Sequence, residues 1–174
     1  IIVDNNSTDN SIQIARLFNH EPGLEKNRKY SRVNILKIND YTPGSAINLG
    51  VKNASHDYIL IISSHCVLKT IDINFLKESL KKYCCVFGKQ TPFYLGKRIR
   101  KNYIWSHFQD KECVNMYSEQ ESRYFMHNAL SFFKKDTLLK YPFNNILQGK
   151  EDRYWAISMI EKNQNILYSP FISC

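Results

Sequence analysis

The sequence predicts an α/β fold whose sheet is largely parallel and carries helices on both faces. Three observations predict it. Helical and strand periodicities alternate from one end of the chain to the other, in the order β-α-β-α-β-α-β followed by a less regular half. The run Tyr58 to Ile62 is continuously apolar, as a strand buried on both faces is. No repeat, low-complexity tract or Pro/Gly/Ser linker interrupts the 174 residues. At roughly 150 residues per domain this is one domain spanning residues 1–174, large enough to bury about 70% of its unfolded surface.

Element by element, Ile1-Ile2-Val3 reads as the end of a buried strand. Polar Asp4 to Asp9 then leads into a helix in which Ile14, Leu17 and Phe18 have the spacing of a buried stripe. After a basic loop, Glu25 to Arg32, come a strand at Val33 to Ile38 and a helix opening near Pro43, a residue tolerated in a first turn. Tyr58 to Ile62 is the next strand, and Asp72 to Tyr83 a helix with Ile73, Leu76 and Leu80 on one face. Cys84 to Gly88 reads as a strand. Gln90 to Arg123 has no clean periodicity and is expected to be mixed loop and helix. A strand at Asn128 to Phe133, a short helix at Asp136 to Lys140, a helix at Glu151 to Glu161 and a strand at Ile166 to Tyr168 complete the pattern.

Twenty-four Lys and Arg against 16 Asp and Glu give a net charge of +8, which favours nucleic acid, anionic lipid or nucleotide phosphates as partners without choosing among them. The five cysteines contain no C-x-x-C pair, and adjacent Cys84 and Cys85 in a strand would face opposite ways, so reduced thiols and a cytosolic setting are expected. No apolar run approaches the roughly 20 residues of a membrane helix, and no signal segment opens the chain. The chain begins inside an apolar run without Met, so a fragment is expected.

Several constellations follow strands, where open α/β sheets bind ligands. Asp4 and Asp9, in the run Asp4-Asn5-Asn6-Ser7-Thr8-Asp9, read either as acceptors for a base or ribose or as ordinary helix-entry residues. Tyr41 to Gly50 puts Gly44, Ser45 and Ala46 at a loop-to-helix junction, where backbone amides can face an anion or simply make a tight turn. The phosphate-loop and dinucleotide glycine patterns are both absent. His65, in Ser63-Ser64-His65-Cys66, reads as a metal ligand or as hydrogen-bonded structure, and zinc is disfavoured because no second Cys or His lies at ligand spacing. Glu151 and Asp152 open a helix, where they serve either as caps or as a carboxylate able to take a hydroxyl proton. Lys97-Arg98-Arg100-Lys101 with Tyr94, Tyr103 and Trp105 fits a single-stranded nucleic-acid site, a diphosphate clamp or a solvated face.

The order and spacing of these pieces resemble family-2 glycosyltransferases of the GT-A fold over essentially the whole chain. The segments that carry the resemblance are Ile2-Val3-Asp4-Asn5-Asn6-Ser7-Thr8-Asp9, Gly44-Ser45-Ala46-Ile47-Asn48-Leu49-Gly50 and Asn53-Ala54-Ser55-His56-Asp57-Tyr58. Where the family has D-x-D, this chain has Ser63-Ser64-His65. In that respect it is similar to a bacterial subgroup with S-x-H-C, a segment like Gly88-Lys89-Gln90-Thr91-Pro92, a stretch like Phe125-Met126-His127-Asn128-Ala129 and the E-D-R-x-W-A motif seen as Glu151 to Ala156.

The resemblance implies a nucleotide-sugar donor held by Asp4, Asn6, Asp9, Gly44 and Asn48, with Ser63, Ser64, His65, Lys89 and Asn128 on the diphosphate side. It implies Asp152, with Glu151 as second choice, as the base of an inverting transfer to a glycan or lipid-linked acceptor. His65 stands where D-x-D binds a divalent cation; Mn²⁺ suits an imidazole better than Mg²⁺, and cations from residues 89–101 could neutralise the diphosphate instead. The family's first strand, and whatever follows Cys174, lie outside this sequence. The implied setting is bacterial capsule, lipopolysaccharide or other surface-polysaccharide assembly at the cytoplasmic face of the membrane, with peripheral association and no nucleic-acid partner. A catalytically silent sugar-nucleotide binder is the alternative, followed by a basic nucleic-acid module.

Overall fold

The computed structural model describes residues 1–20, 33–99, 110–119 and 121–174. Strand β1 (Ile2–Asp4) is followed by α1 (Ser11–His20), and β2 (Ile35–Lys37) pairs parallel with β1, with Val3 opposite Leu36. Next come α2 (Pro43–Asn53), β3 (Tyr58–Ile62), α3 (Ile73–Ser79) and β4 (Cys85–Lys89). Short strands β5 (Phe93–Tyr94), β6 (Lys97–Arg98), β7 (Cys113–Val114), β8 (Tyr117–Ser118) and β9 (Arg123–Tyr124) follow. The chain closes with β10 (Leu130–Lys134), α4 (Lys135–Lys140), α5 (Glu151–Glu161) and β11 (Ile166–Ser173).

The central sheet is mixed, which corrects the expectation of a largely parallel one. Its order is β3-β10-β4-β11-β7, and β10 runs antiparallel to both β3 and β4, whereas β4 and β11 are parallel. The helix-to-strand alternation that suggests parallel crossovers ends at β4, and the later strand β10 then inserts between β3 and β4.

Period-two alternation divides the core into two layers, one on each face of the sheet. Cys85, Phe87, Phe133, Ile166 and Tyr168 pack with Val51 of α2, Leu138 of α4 and Trp155, Ala156 and Met159 of α5. Val86, Leu130, Phe132 and Leu167 point the other way, onto Leu76 and Leu80 beside α3. Helices thus cover both faces, as expected. Cys84 and Cys85 fall in the same layer, and all five cysteines are free thiols.

Local chemistry sets the helix starts. Thr42 and Ser45 form a reciprocal capping box at α2 with Pro43 in its first turn, and the Asp72 carboxylate accepts the Phe75 N–H at 3.0 Å to start α3. In α3, Ile73 is exposed although Leu76 and Leu80 are fully buried, so the face is narrower than the spacing predicts. The stripe expected on α1 is also corrected: Ile14 and Leu17 are 55% and 63% exposed, and Ala15 is the buried residue. The side chain of Phe18, the third residue of that stripe, lies outside the described residues.

Among the described residues of 90–123 the structure is short strand pairs and loops in place of the expected loop and helix. Strand β11 runs beyond the expected Tyr168 because Pro170, which ends the apolar pattern, sits at a register shift between Ser169 and Ser173. No helix among the described residues is long and apolar enough to cross a membrane.

Gly88 of β4 is closely packed against β11 and β10. A Cβ there would lie 2.7 Å from the Ile172 carbonyl oxygen and 2.7 Å from Leu130 Cδ2. Gly88→Ala should therefore destabilise by about 2 kcal/mol and lower the melting temperature by about 4–8 °C, read by thermal denaturation; an unchanged transition would show that β11 yields without cost.

Candidate functional site

Ser63 to Cys66 form a tight turn directly after β3, closed by the Cys66 N–H donating to the Ser63 carbonyl at 2.9 Å. Ser64 and His65 are exposed at its tip. The base of the turn is tied to the segment entering β10: Ser63 N–H donates to the Ala129 carbonyl at 3.3 Å, and Ser63 Oγ to the Asn128 carbonyl at 3.1 Å. The edge of the sheet after β3 and the start of β10 are therefore one rigid corner.

The head of α5 meets this corner. Gly149 and Lys150, both at positive φ, turn the chain into the helix, and Glu151 and Asp152 occupy its first turn. Trp155, one turn on, fixes the helix. Its indole N–H donates to the Tyr141 carbonyl at 2.7 Å, and its ring stands edge-on to Phe133 and stacks on Phe143, with centroids at 5.3 and 5.5 Å.

Glu151 is buried, and its Oε1 accepts the Asn128 side-chain N–H at 3.2 Å. Asn128 Oδ1 in turn accepts Ser131 Oγ–H at 3.1 Å. Asp152 is partly buried, with Oδ1 accepting the Arg153 N–H, one of the amides the helix start leaves free, at 2.7 Å. Burial first, and the adjacent Glu151 charge second, push the Asp152 carboxyl up to about 6, against the Arg153 N–H and guanidinium and the Asn128 backbone N–H, which favour its charged form. A carboxylate so tuned takes and returns a proton near neutral pH. Of the two acids, Asp152 is the more accessible.

The other residues expected at the site make their own local contacts. Asp4 ends β1, buried, and accepts the Ser7 N–H at 3.2 Å. Asn6 holds a left-handed turn (φ 53°) that asparagine adopts readily. Asp9 is exposed; its bond to Ser11 holds its carboxyl below the usual range, the behaviour of a helix-entry residue. Asn48 is buried and bonded to the 143–145 segment: its Nδ2–H donates to the Phe143 carbonyl at 2.8 Å and to Asn145 Oδ1 at 2.6 Å, and its Oδ1 accepts the Phe143 N–H at 3.1 Å. Gly44 lies against the Asn144 carbonyl. Lys89, at the end of β4, is paired with Asp110. Lys97, Arg98 and Tyr94 sit on the exposed β5–β6 hairpin, whereas Arg100, Lys101, Tyr103 and Trp105 lie outside the described residues, as does the basic loop 25–32.

The described residues contain no group of three His, Cys, Asp or Glu placed to hold a metal ion. His65 brings one imidazole and its turn no carboxylate, so these residues do not make a cation cage by themselves. Ser131 was not expected at the site. A hydroxyl in the otherwise apolar run Leu130-Ser131-Phe132-Phe133, fully buried, is the signal that marks it.

The sequence profile described as Glycosyl transferase family 2 matches residues 1–139. The chain belongs to that family. Its fold is GT-A, as the solved structures it resembles show. It is 17% identical to S. aureus TarS 1–349 in complex with UDP, covering 99% of this chain and 49% of that one with a TM-score of 0.62. Against GalNAc-T7 with UDP, GalNAc and Mn²⁺ the identity is 13%, the coverage 98% and 36%, and the TM-score 0.64. Against the longer S. aureus TarS structure it is 16%, with 97% of this chain and 30% of that chain covered and a TM-score of 0.60. This family-2 chain thus spans half or less of these proteins. No curated protein matches its sequence.

Proposed function

We propose that this family-2 chain is the donor-binding and catalytic part of a glycosyltransferase that moves a sugar from a nucleotide-sugar donor to a hydroxyl of a glycan or lipid-linked acceptor, with inversion. The observation that carries the reading is Asp152, partly buried at the head of α5 with its carboxyl pushed up to about 6, in a chain matched by the family profile. The UDP bound to TarS 1–349 and to GalNAc-T7 makes a uridine nucleotide the first donor to try.

In this mechanism Asp152 accepts the acceptor hydroxyl proton as the oxygen attacks the anomeric carbon, and the nucleoside diphosphate departs toward the Ser63–His65 turn. Asp4 would hold the nucleotide from the end of β1. A divalent cation, if bound with the donor, would neutralise the diphosphate, but it would take most of its ligands from the donor and water, because this chain offers only His65 in the turn. We place the enzyme at the cytoplasmic face of a membrane in surface-polysaccharide assembly, associated peripherally through its net positive charge. The same lack of carboxylates after β3 favours, as second reading, a silent sugar-nucleotide binder.

Titration calorimetry against UDP, GDP and dTDP, each with Mn²⁺, Mg²⁺ or chelator, tests the donor. Micromolar binding of one nucleotide, lost in Asp4→Ala, supports the reading; no binding by the folded full-length protein removes it. Nucleoside diphosphate release in the full-length protein separates enzyme from silent binder. Turnover should fall as pH drops through about 6, since Asp152 is then protonated; a rate flat from pH 5 to 8 would exclude it as the base.

A further inference from the structure

Every polar atom of Asn128 faces the candidate site. Its carbonyl accepts from Ser63 Oγ at the turn after β3, and its backbone N–H favours the charged Asp152. Its side-chain nitrogen donates to Glu151 Oε1, and its side-chain oxygen accepts from Ser131 Oγ on β10. Asn128 and Ser131 are both buried, so water cannot replace a lost partner cheaply. Of the two buried asparagines among the described residues, Asn48 bonds to the 143–145 segment, and Asn128 spans the turn and both acids.

We infer that Asn128 is the positioning residue of this site: clamped by Ser131, it fixes Glu151 with its amide and Asp152 with its peptide, and so sets both carboxylates relative to the turn after β3. The inference rests on the reading of Asp152 as base. Its chemical logic is that a buried carboxylate pair with fewer hydrogen-bond donors binds a proton more tightly. Asn128 supplies one of those donors to Glu151 through a side chain that contributes nothing else to the pair. The charged groups facing Asp152 are Glu151 and Arg153, both on α5; from the segment before β10 only the Asn128 N–H is directed to it.

The test is a ¹³C NMR titration of side-chain carboxyls in the full-length protein, with the Asp152 signal assigned through Asp152→Asn, together with UDP calorimetry. Asn128→Ala should move the Asp152 titration upward by a fraction of a unit, because the Glu151 charge beside it then loses the amide that offsets it, and should leave UDP affinity within about threefold. Ser131→Ala, which frees the amide without deleting it, should move it in the same direction by less, and it serves if Asn128→Ala does not fold. A melting temperature that drops while the titration stays put would show a purely structural asparagine and overturn the inference. So would a UDP affinity at least tenfold weaker with the titration unmoved, which would make Asn128 a donor contact. If Asp152→Asn keeps full turnover, the base assignment fails, whatever Asn128 does; if that variant is inactive and the titration is unmoved in both Asn128→Ala and Ser131→Ala, only the positioning role fails.

Discussion

Asp152→Asn is expected to cut turnover by about 10²–10⁴-fold, the usual contribution of a general base, while leaving nucleotide affinity nearly unchanged. The same substitution should make the folded protein more stable at neutral pH. In the native chain the Asp152 carboxyl is raised from 3.8 to about 6, by burial first and by Glu151 second. The folded state therefore holds this proton more tightly than the unfolded chain does. Stability falls as pH rises from near 4 to near 6, because in that window the native state binds more protons than the unfolded one. At about 1.4 kcal/mol per unit the ionised residue costs about 2–3 kcal/mol above pH 6. Asparagine keeps an oxygen for the Arg153 N–H and carries no charge beside Glu151. Its melting temperature should exceed that of the native protein at pH 8, at about 2–4 °C per kcal/mol, and the gap should close by pH 4. Lost turnover together with raised stability is the signature of a base held ready at a cost to the fold. An inactive variant that melts lower at pH 8 would instead mean that the carboxylate holds the head of α5 together.

The residue pattern made some of this legible and hid the rest for identifiable reasons. Strands β3 and β4 and helices α2 and α5 stand close to where periodicity and capping chemistry place them, because each is decided by its own residues: the run Tyr58 to Ile62, the Thr42–Pro43–Ser45 start, the paired acids before Trp155. Sheet direction was not legible. Leu130 to Phe133 reads as a buried strand either way, and only the tertiary pairing makes it antiparallel to both neighbours. Nor was the covering of α1, since a helical stripe states what it can bury and not what lies opposite it.

At the site, the acids of α5 and the Ser63–His65 turn could be picked out from position along the chain alone. Their link could not: the resemblance puts Asn128 on the diphosphate side, but its bonds to Glu151 and to Ser131, an unexpected residue, emerge only from the fold. Gly44 and Asn48, which the resemblance puts at the nucleotide, carry a packing contact that no sequence pattern announces: both meet the protein's own backbone at 143–145.

That contact sets the second large effect. Gly44→Ala would place a Cβ 2.1 Å from the Asn144 carbonyl oxygen and 2.9 Å from its carbon, both backbone atoms that no rotamer change can move aside. Either α2 or the 143–145 segment has to shift. The segment is held by Asn48 on Phe143 and Asn145 and by Thr42 Oγ1 donating to the Asn145 carbonyl at 2.9 Å, so movement strains several buried bonds together. Overpacking against backbone should cost about 3 kcal/mol and lower the melting temperature by about 6–12 °C. The damage should also travel. Phe143 stacks on Trp155, and Trp155 fixes the helix that presents Asp152, so displacement of 143–145 tilts the head of α5. Turnover in the full-length protein should fall at least tenfold at temperatures well below the melting transition, since misplacing a catalytic group by about 1 Å costs on the order of 10²-fold. Gly50→Ala on the same helix is the control, because a Cβ there meets Val3 Cγ2 of β1 at 3.6 Å, an ordinary contact, and it should leave both readouts unchanged. Full turnover in Gly44→Ala with only the melting temperature reduced would break the chain of contacts from α2 to Asp152 at Phe143, and would leave Gly44 as a packing residue of the fold alone.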